Sequence, residues 1–170
     1  MPSGPGHDVG QMTVMPSVRR GRRGDAVELA QLINRAYQIE ASFLDGERTN
    51  PDEVARLADA GHFVVLERGD GSLGAAVYVR AEGRRGFFGM LSVAPDLQNL
   101  GLGRRLVAVA EALCAAMGCT EMALEVINLR EELPPWYRRL GYREVGIAPY
   151  VHRPPKKPCH FILMEKQLVS

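Results

Sequence analysis

Residues 91–107, LSVAPDLQNLGLGRRLV, join an apolar, strand-like run to a helix-like run through a seam that holds Gly101 and Gly103. Glycine at a strand-to-helix turn gives tight geometry and lets another group approach the backbone closely. The first N–H groups of a helix have no partner within it, so such a seam is suited to an anion. Two better-known phosphate motifs do not fit. No Lys-Ser/Thr pair follows the glycines as in a P-loop, and Leu106 stands where a dinucleotide fingerprint has its third glycine.

The chain around the seam reads as alternating helices and strands. Residues 1–13 are rich in Gly, Pro and Ser and are expected to form a flexible tail, with residues 14–170 as one domain. A short strand falls in 15–20. Asp25 and Glu28 form a capping-box pattern ahead of an apolar stripe of Leu29, Leu32, Ile33, Ala36 and Tyr37. Residues 41–50 break that stripe. Asn50, Pro51 and Glu53 sign a second helix with Val54, Leu57 and Ala58 inward and Gly61 as its stop. Strands are expected at 62–68, 73–80 and 86–93, the first two joined by a GDGS turn. The helix after the seam carries Leu102, Leu106, Val109, Ala110, Leu113 and Met117 on one side and ends at Gly118. A strand at 120–127, a short helix at 133–140, and strands at 142–150 and 160–168 complete the chain. The order β-α-α-β-β-β-α-β-α-β-β is a mixed α/β fold with parallel and antiparallel strands.

Composition narrows the function. A net charge of +1 excludes a globally basic nucleic-acid binder. The local run RRGRRG (19–24) has four arginines but no interleaved aromatics, so nucleic acid is not the expected partner. Cys114, Cys119 and Cys159 lack metal-ligand spacing, and no metal is expected. The odd cysteine count, the absence of a signal-like start and the absence of a ~20-residue apolar run point to a cytoplasmic protein without a membrane partner.

Gln98, Gly101 and Gly103 fit the pattern Gln/Arg-x-x-Gly-x-Gly/Ala. With WYRRLGYREVG (136–146), HFILMEKQL (160–168) and DAVELAQLINRAY (25–37), the chain resembles the GNAT superfamily of acetyl-CoA-dependent N-acetyltransferases over about residues 16–168. The resemblance implies a mixed central sheet of six to seven strands, splayed between the fourth and fifth, with about four helices. It implies acetyl-CoA as cosubstrate. Its pyrophosphate would lie on backbone groups of Gln98, Asn99, Leu100, Gly101, Leu102, Gly103 and Arg104. Its pantetheine arm would run along Leu91, Ser92 and Val93 like an added strand.

Acetyl transfer to an amine needs a proton removed from an ammonium of pKa ~10.4, and a proton delivered to the departing thiolate. By resemblance, Tyr137 is the general acid. Many members place a Glu base on the fourth strand, but GFFGMLSV (86–93) has no acid. Glu125 on the fifth strand is one substitute, and Glu40, Glu47, His62, His160 and solvent-linked water are other routes, so the base stays open. Members often hold the pantetheine with an Asn about seven residues before the Tyr. Asn128 lies nine before Tyr137 and is the nearest match. Arg130 could meet the coenzyme or pair with a nearby Glu.

The acceptor is expected between the loops at 41–50 and 151–158, with Tyr37, Glu40 and Glu47 as binding residues. Acidic groups there suit a cationic amine; Arg153, Lys156 and Lys157 opposite suit a carboxylate or phosphate. The expected function is an N-acetyltransferase acting on a small-molecule or amino-acid-like amine. The rivals are a protein lysine or N-terminal acetyltransferase and a non-catalytic acyl-CoA sensor. A homodimer through the final-strand edge is an open option.

Overall fold

Alternating apolar residues through 62–93 build three consecutive antiparallel strands around which the rest assembles. The computed structural model describes residues 17–169, so the tail expected at 1–13 lies outside the described residues. β1 (Ser17–Arg20) leads into α1 (Ala26–Ala36) and α2 (Pro51–Ala60). Then come β2 (His62–Glu67), β3 (Leu73–Glu82), β4 (Arg85–Val93) and, after the glycine seam, α3 (Leu102–Ala116). β5 (Glu121–Ile127), α4 (Leu133–Arg139), β6 (Arg143–Pro149) and β7 (His160–Gln167) follow. The seven strands form one sheet in the order β1-β2-β3-β4-β5-β7-β6, with only β4–β5 parallel. This is the mixed α/β architecture expected from the sequence.

Strand alternation sends side chains to two cores, one on each face of the sheet. Val64, Leu66, Val77, Val79 and Phe88 pack with Leu106, Val107, Ala110 and Cys114 of α3. Phe63, Val65, Ala76 and Tyr78 pack on the opposite face with Leu29, Leu32 and Ile33 of α1. The α3 stripe is rotated from the expected one: Val107 and Cys114 are buried, and Met117 is exposed.

Local polar groups differ from the expected caps. Asp25 does not cap α1. Its carboxylate accepts from Arg22 N (2.6 Å) and pairs with Arg19 (2.8 Å). Glu28 reaches instead to Leu73 N on β3 (2.8 Å), a longer-range contact worth more to the packed fold than a helix end. Asn50 caps α2 as expected, accepting from Glu53 N (2.9 Å), but the Glu53 carboxylate takes the Thr49 hydroxyl (2.8 Å) rather than the Asn50 N–H. Ala58 faces solvent.

The final strand is not an edge. β7 lies between β5 and β6, and β6 is the open edge, with Ile147 71% exposed. A dimer through a final-strand edge is therefore not available; any edge pairing there would use β6.

Gly86 marks the tightest approach of α3 to the sheet. A Cβ there would lie 2.7 Å from Cys114 Sγ and 2.8 Å from Cys114 Cβ, and would also collide with Met122. Gly86→Ala is expected to destabilise by about 1–3 kcal/mol through overpacking, read from the midpoint of urea unfolding.

Candidate active site

β4 and β5 pair only where Arg85, Gly86 and Phe87 face Glu121, Met122 and Ala123. Beyond that point β5 continues along β7 through Ile127, and β4 runs on to Val93 beside β3 alone. The backbone of β4 on the β5 side is thus left without a strand partner, which is the splay expected from the sequence. A cleft of about 1130 Å3 opens at this divergence, with Leu91, Glu125, Tyr137, Tyr37, Arg80 and Arg153 among its walls.

The β4 wall is bulged. Tyr78 faces Gly89 and Ala76 faces Ser92, so Val77 alone opposes Met90 and Leu91. Met90 carries the positive φ of 52° that this requires, a costly conformation for a side-chain-bearing residue. Ser92 braces the bulge: its buried hydroxyl donates to Met90 O at 2.9 Å. The Ser92 side chain is therefore structural, and any contribution to a ligand comes from its backbone.

The seam forms a second wall. Asn99 (φ 65°) and Gly101 (φ 78°) are both left-handed and turn the chain into α3. Gly101 occupies the N-cap with no side-chain cap, and Arg105 N bonds Gly101 O at 3.1 Å. The preceding N–H groups of Leu102, Gly103 and Arg104 fall before the first intrahelical bond and remain open, at the positive end of a 15-residue helix. Leu100 and Arg104 are exposed beside them. Gln98 folds back so that Nε2 approaches Val93 O at 3.4 Å.

Tyr137 projects from α4 against Phe88, Trp136 and Tyr142. It is buried among rings, yet its hydroxyl makes no hydrogen bond to any described residue. Burial, and then the neighbouring Tyr37, push its pKa well above the usual phenol value, so it is a protonated donor at neutral pH. Tyr37 is raised in the same direction, first by burial, and Arg48 stacks over its ring at 5.4 Å. Glu125 faces the cleft, exposed, from β5 beyond the splay.

The acceptor-side loops meet each other. Asp45 N bonds Pro154 O (2.9 Å), Lys156 N bonds Phe43 O (2.9 Å), and Phe43 and Leu44 pack with Ile127. Glu40 is buried at this junction, bonded by Arg153 and by Arg130 (3.1 Å).

A model of the acetyltransferase (GNAT) domain matches residues 59–144, just over half of the chain. The chain belongs to the GNAT acetyltransferases. Solved structures agree on the fold. The ribosomal-protein-S18-alanine N-acetyltransferase of Escherichia coli is similar at TM-score 0.76 and 17% identity, over 92% of this chain and 96% of that one. Ard1 of Thermoplasma volcanium is similar at 0.75 and 16%, over 92% and 100%. A nourseothricin acetyltransferase is similar at 0.70 and 19%, over 92% and 100%. No curated protein sequence matches the chain.

As a GNAT acetyltransferase the protein is an acyltransferase that uses acetyl-CoA, and its residues fit that cosubstrate. The uncapped N–H groups of Leu102, Gly103 and Arg104 suit a pyrophosphate, and the unpaired edge of β4 suits an extended amide-bearing arm. A Cβ on Gly103 would lie 3.6 Å from Trp136, ordinary contact, so packing within the chain does not demand glycine there. Gly101, in contrast, is fixed by its positive φ. Among the described residues no three His, Cys, Asp or Glu side chains gather as a metal site, and no helix is long and apolar enough to cross a membrane.

Three expected site residues have partners within the chain. Asn128 Oδ1 accepts from His160 N at 2.9 Å, tying the end of β5 to the start of β7. Glu40 is held between two guanidiniums and is not free to receive an ammonium. Arg130 takes the second of its two expected roles, pairing with Glu40 and with Glu132 (2.6 Å). Glu47 is exposed along the cleft. Sequence reading missed Arg48 and Arg80; the one cue was an arginine following the apolar run AAVYV of β3. It also missed Met90, whose strain nothing in GFFGMLSV marks. Glu40→Gln is expected to cost about 3 kcal/mol of stability, because it leaves the buried Arg153 guanidinium without its carboxylate and Arg130 with Glu132 alone; chemical denaturation measures it.

Proposed function

We propose that this GNAT acetyltransferase moves the acetyl group of acetyl-CoA to the amine of a small-molecule or amino-acid-like acceptor, with Tyr137 as general acid. The observation that carries the proposal is Tyr137: its ring is buried, its hydroxyl has no partner among the described residues and is held protonated, and it lines the cleft where β4 and β5 part.

Acetyl-CoA supplies an activated thioester carbonyl. The open N–H groups at residues 102–104 hold its pyrophosphate, and the β4 backbone at Leu91 and Val93 holds its arm. Tyr137 keeps a proton on Oη for the departing sulfur. Glu125 is the base that takes the ammonium proton, since it is the acid on β5 that lines the cleft and forms no ion pair with another described residue. The amine then attacks directly, its carbon–nitrogen bond forming as the carbon–sulfur bond breaks.

Amine-dependent release of free thiol from acetyl-CoA, followed across a panel of primary amines and amino acids, tests the proposal. Release with selected acceptors, matched by acetylated product, is the expected result. Tight acetyl-CoA binding with no release across the panel would instead support an acyl-CoA sensor.

A further inference from the structure

The polar groups of the cleft are not balanced. Among the described residues, the buried side-chain polar atoms without a hydrogen-bond partner are Tyr78 Oη, Arg80 Nε and Arg153 Nε, and all three residues line this cleft. A buried donor left unpaired costs about 1–3 kcal/mol, and more on a charged group. Arg80 Nε has the Glu82 carboxylate at 4.0 Å, beyond hydrogen-bond reach; three residues with such atoms around one cavity point to a ligand that brings hydrogen-bond acceptors.

Arg153 is the most constrained of the three. Its side chain is only 10% exposed. Nη2 donates to Glu40 and Nη1 donates to Gly46 O at 3.3 Å, and the Nε–H has no partner. The charges around it favour an anion. Two guanidiniums, Arg130 and Arg153, are buried against one carboxylate, Glu40. Glu132 meets Arg130 from the solvent side and is 56% exposed. Arg48 adds a cation above Tyr37, with Glu53 at 3.9 Å on its outer side. Glu47 stands exposed along the same cleft.

We infer that the acceptor carries a carboxylate as well as its amine, and that Arg153 holds this carboxylate through its Nε–H. An ionised carboxylate is acceptor-only, and guanidinium N–H groups match its geometry better than an ammonium does. Arg153 sits on the loop that packs over residues 43–45 and lines the same cleft as Tyr37 and Tyr137. A carboxylate at Arg153 would thus lie in the cleft that the general acid lines, beside the loop at residues 43–45. This rests on reading the cleft as an N-acetyltransferase site.

The test uses product-like ligands and so does not depend on turnover. N-acetylglycine, N-acetyl-L-methionine and N-acetyl-L-phenylalanine are titrated into the full chain with saturating coenzyme A. Each is paired with the N-acetyl amine that lacks the α-carboxylate. At least one carboxylate is expected to bind about 10-fold or more tightly than its neutral partner. Arg153→Lys keeps a cation for Glu40 but removes the Nε–H, and is expected to erase most of that preference while acetyl-CoA affinity and melting temperature hold. The inference is overturned if no carboxylate outbinds its partner, or if the preference survives Arg153→Lys. It is also overturned if Arg80→Gln, at a half-exposed side chain whose loss does not threaten folding, removes the preference in place of Arg153→Lys. Amine-dependent thiol release is read separately, so a failure of the transferase reading is distinguishable from a failure of this one.

Discussion

Tyr137→Phe is expected to lower kcat by about 100-fold while leaving acetyl-CoA affinity within about 2-fold of the parent. The magnitude is that of a lost general acid, at the low end because water can deliver part of the proton. The sparing of affinity follows from the structure. The phenyl ring keeps its contacts with Phe88, Trp136 and Tyr142, and the hydroxyl that is removed bonds to no other described residue. Because the hydroxyl has no protein partner to orphan, stability is expected to move little or to rise slightly. Single-turnover kinetics together with calorimetric titration of acetyl-CoA separate the two effects. Unchanged kcat would assign Tyr137 to packing alone.

Gly103→Glu is expected to move affinity and stability in opposite directions. Its Cβ meets Trp136 only at ordinary contact distance, so the backbone can accept a side chain. A carboxylate in the first turn of α3 interacts favourably with the helix dipole, so the melting temperature is expected to hold or rise. The same charge would lie where the pyrophosphate is held, and repulsion is expected to weaken acetyl-CoA binding by about 100-fold. A thermal melt and a binding titration on one preparation measure both. Affinity near that of the parent would remove the α3 N-terminus from the donor site. A neutral Gly103→Ala control distinguishes charge from bulk.

The features on which the proposed donor half rests were legible in the sequence because they are local. Gly101 requires its positive φ within the turn it makes, and the open N–H groups follow from where α3 begins. Tyr137 was legible through its neighbours Trp136 and Gly141. The acceptor half was not legible, because its contacts are long-range. Glu40 meets Arg153 across 113 residues and Arg130 across 90, and no spacing rule announces a carboxylate shared by two such arginines. Glu40 therefore read as a free acid. The bond that Asn128 accepts was hidden for the same reason: its His160 partner is 32 residues away. Strand order failed similarly. The sequence shows β6 and β7 in succession, but not that β7 inserts beside β5 and leaves β6 as the edge. The capping box at Asp25 and Glu28 was a sound local pattern outcompeted by Arg19 and Leu73, which only the folded sheet brings within reach.

The most direct measurement is a crystal structure of the protein with coenzyme A. The expected result is a pyrophosphate within hydrogen-bond distance of the N–H groups of Leu102, Gly103 and Arg104. The pantetheine arm is expected along the free edge of β4, and the sulfur within reach of the Tyr137 hydroxyl. A pyrophosphate bound away from the start of α3, or a sulfur remote from Tyr137, would contradict both the donor site and the assigned acid.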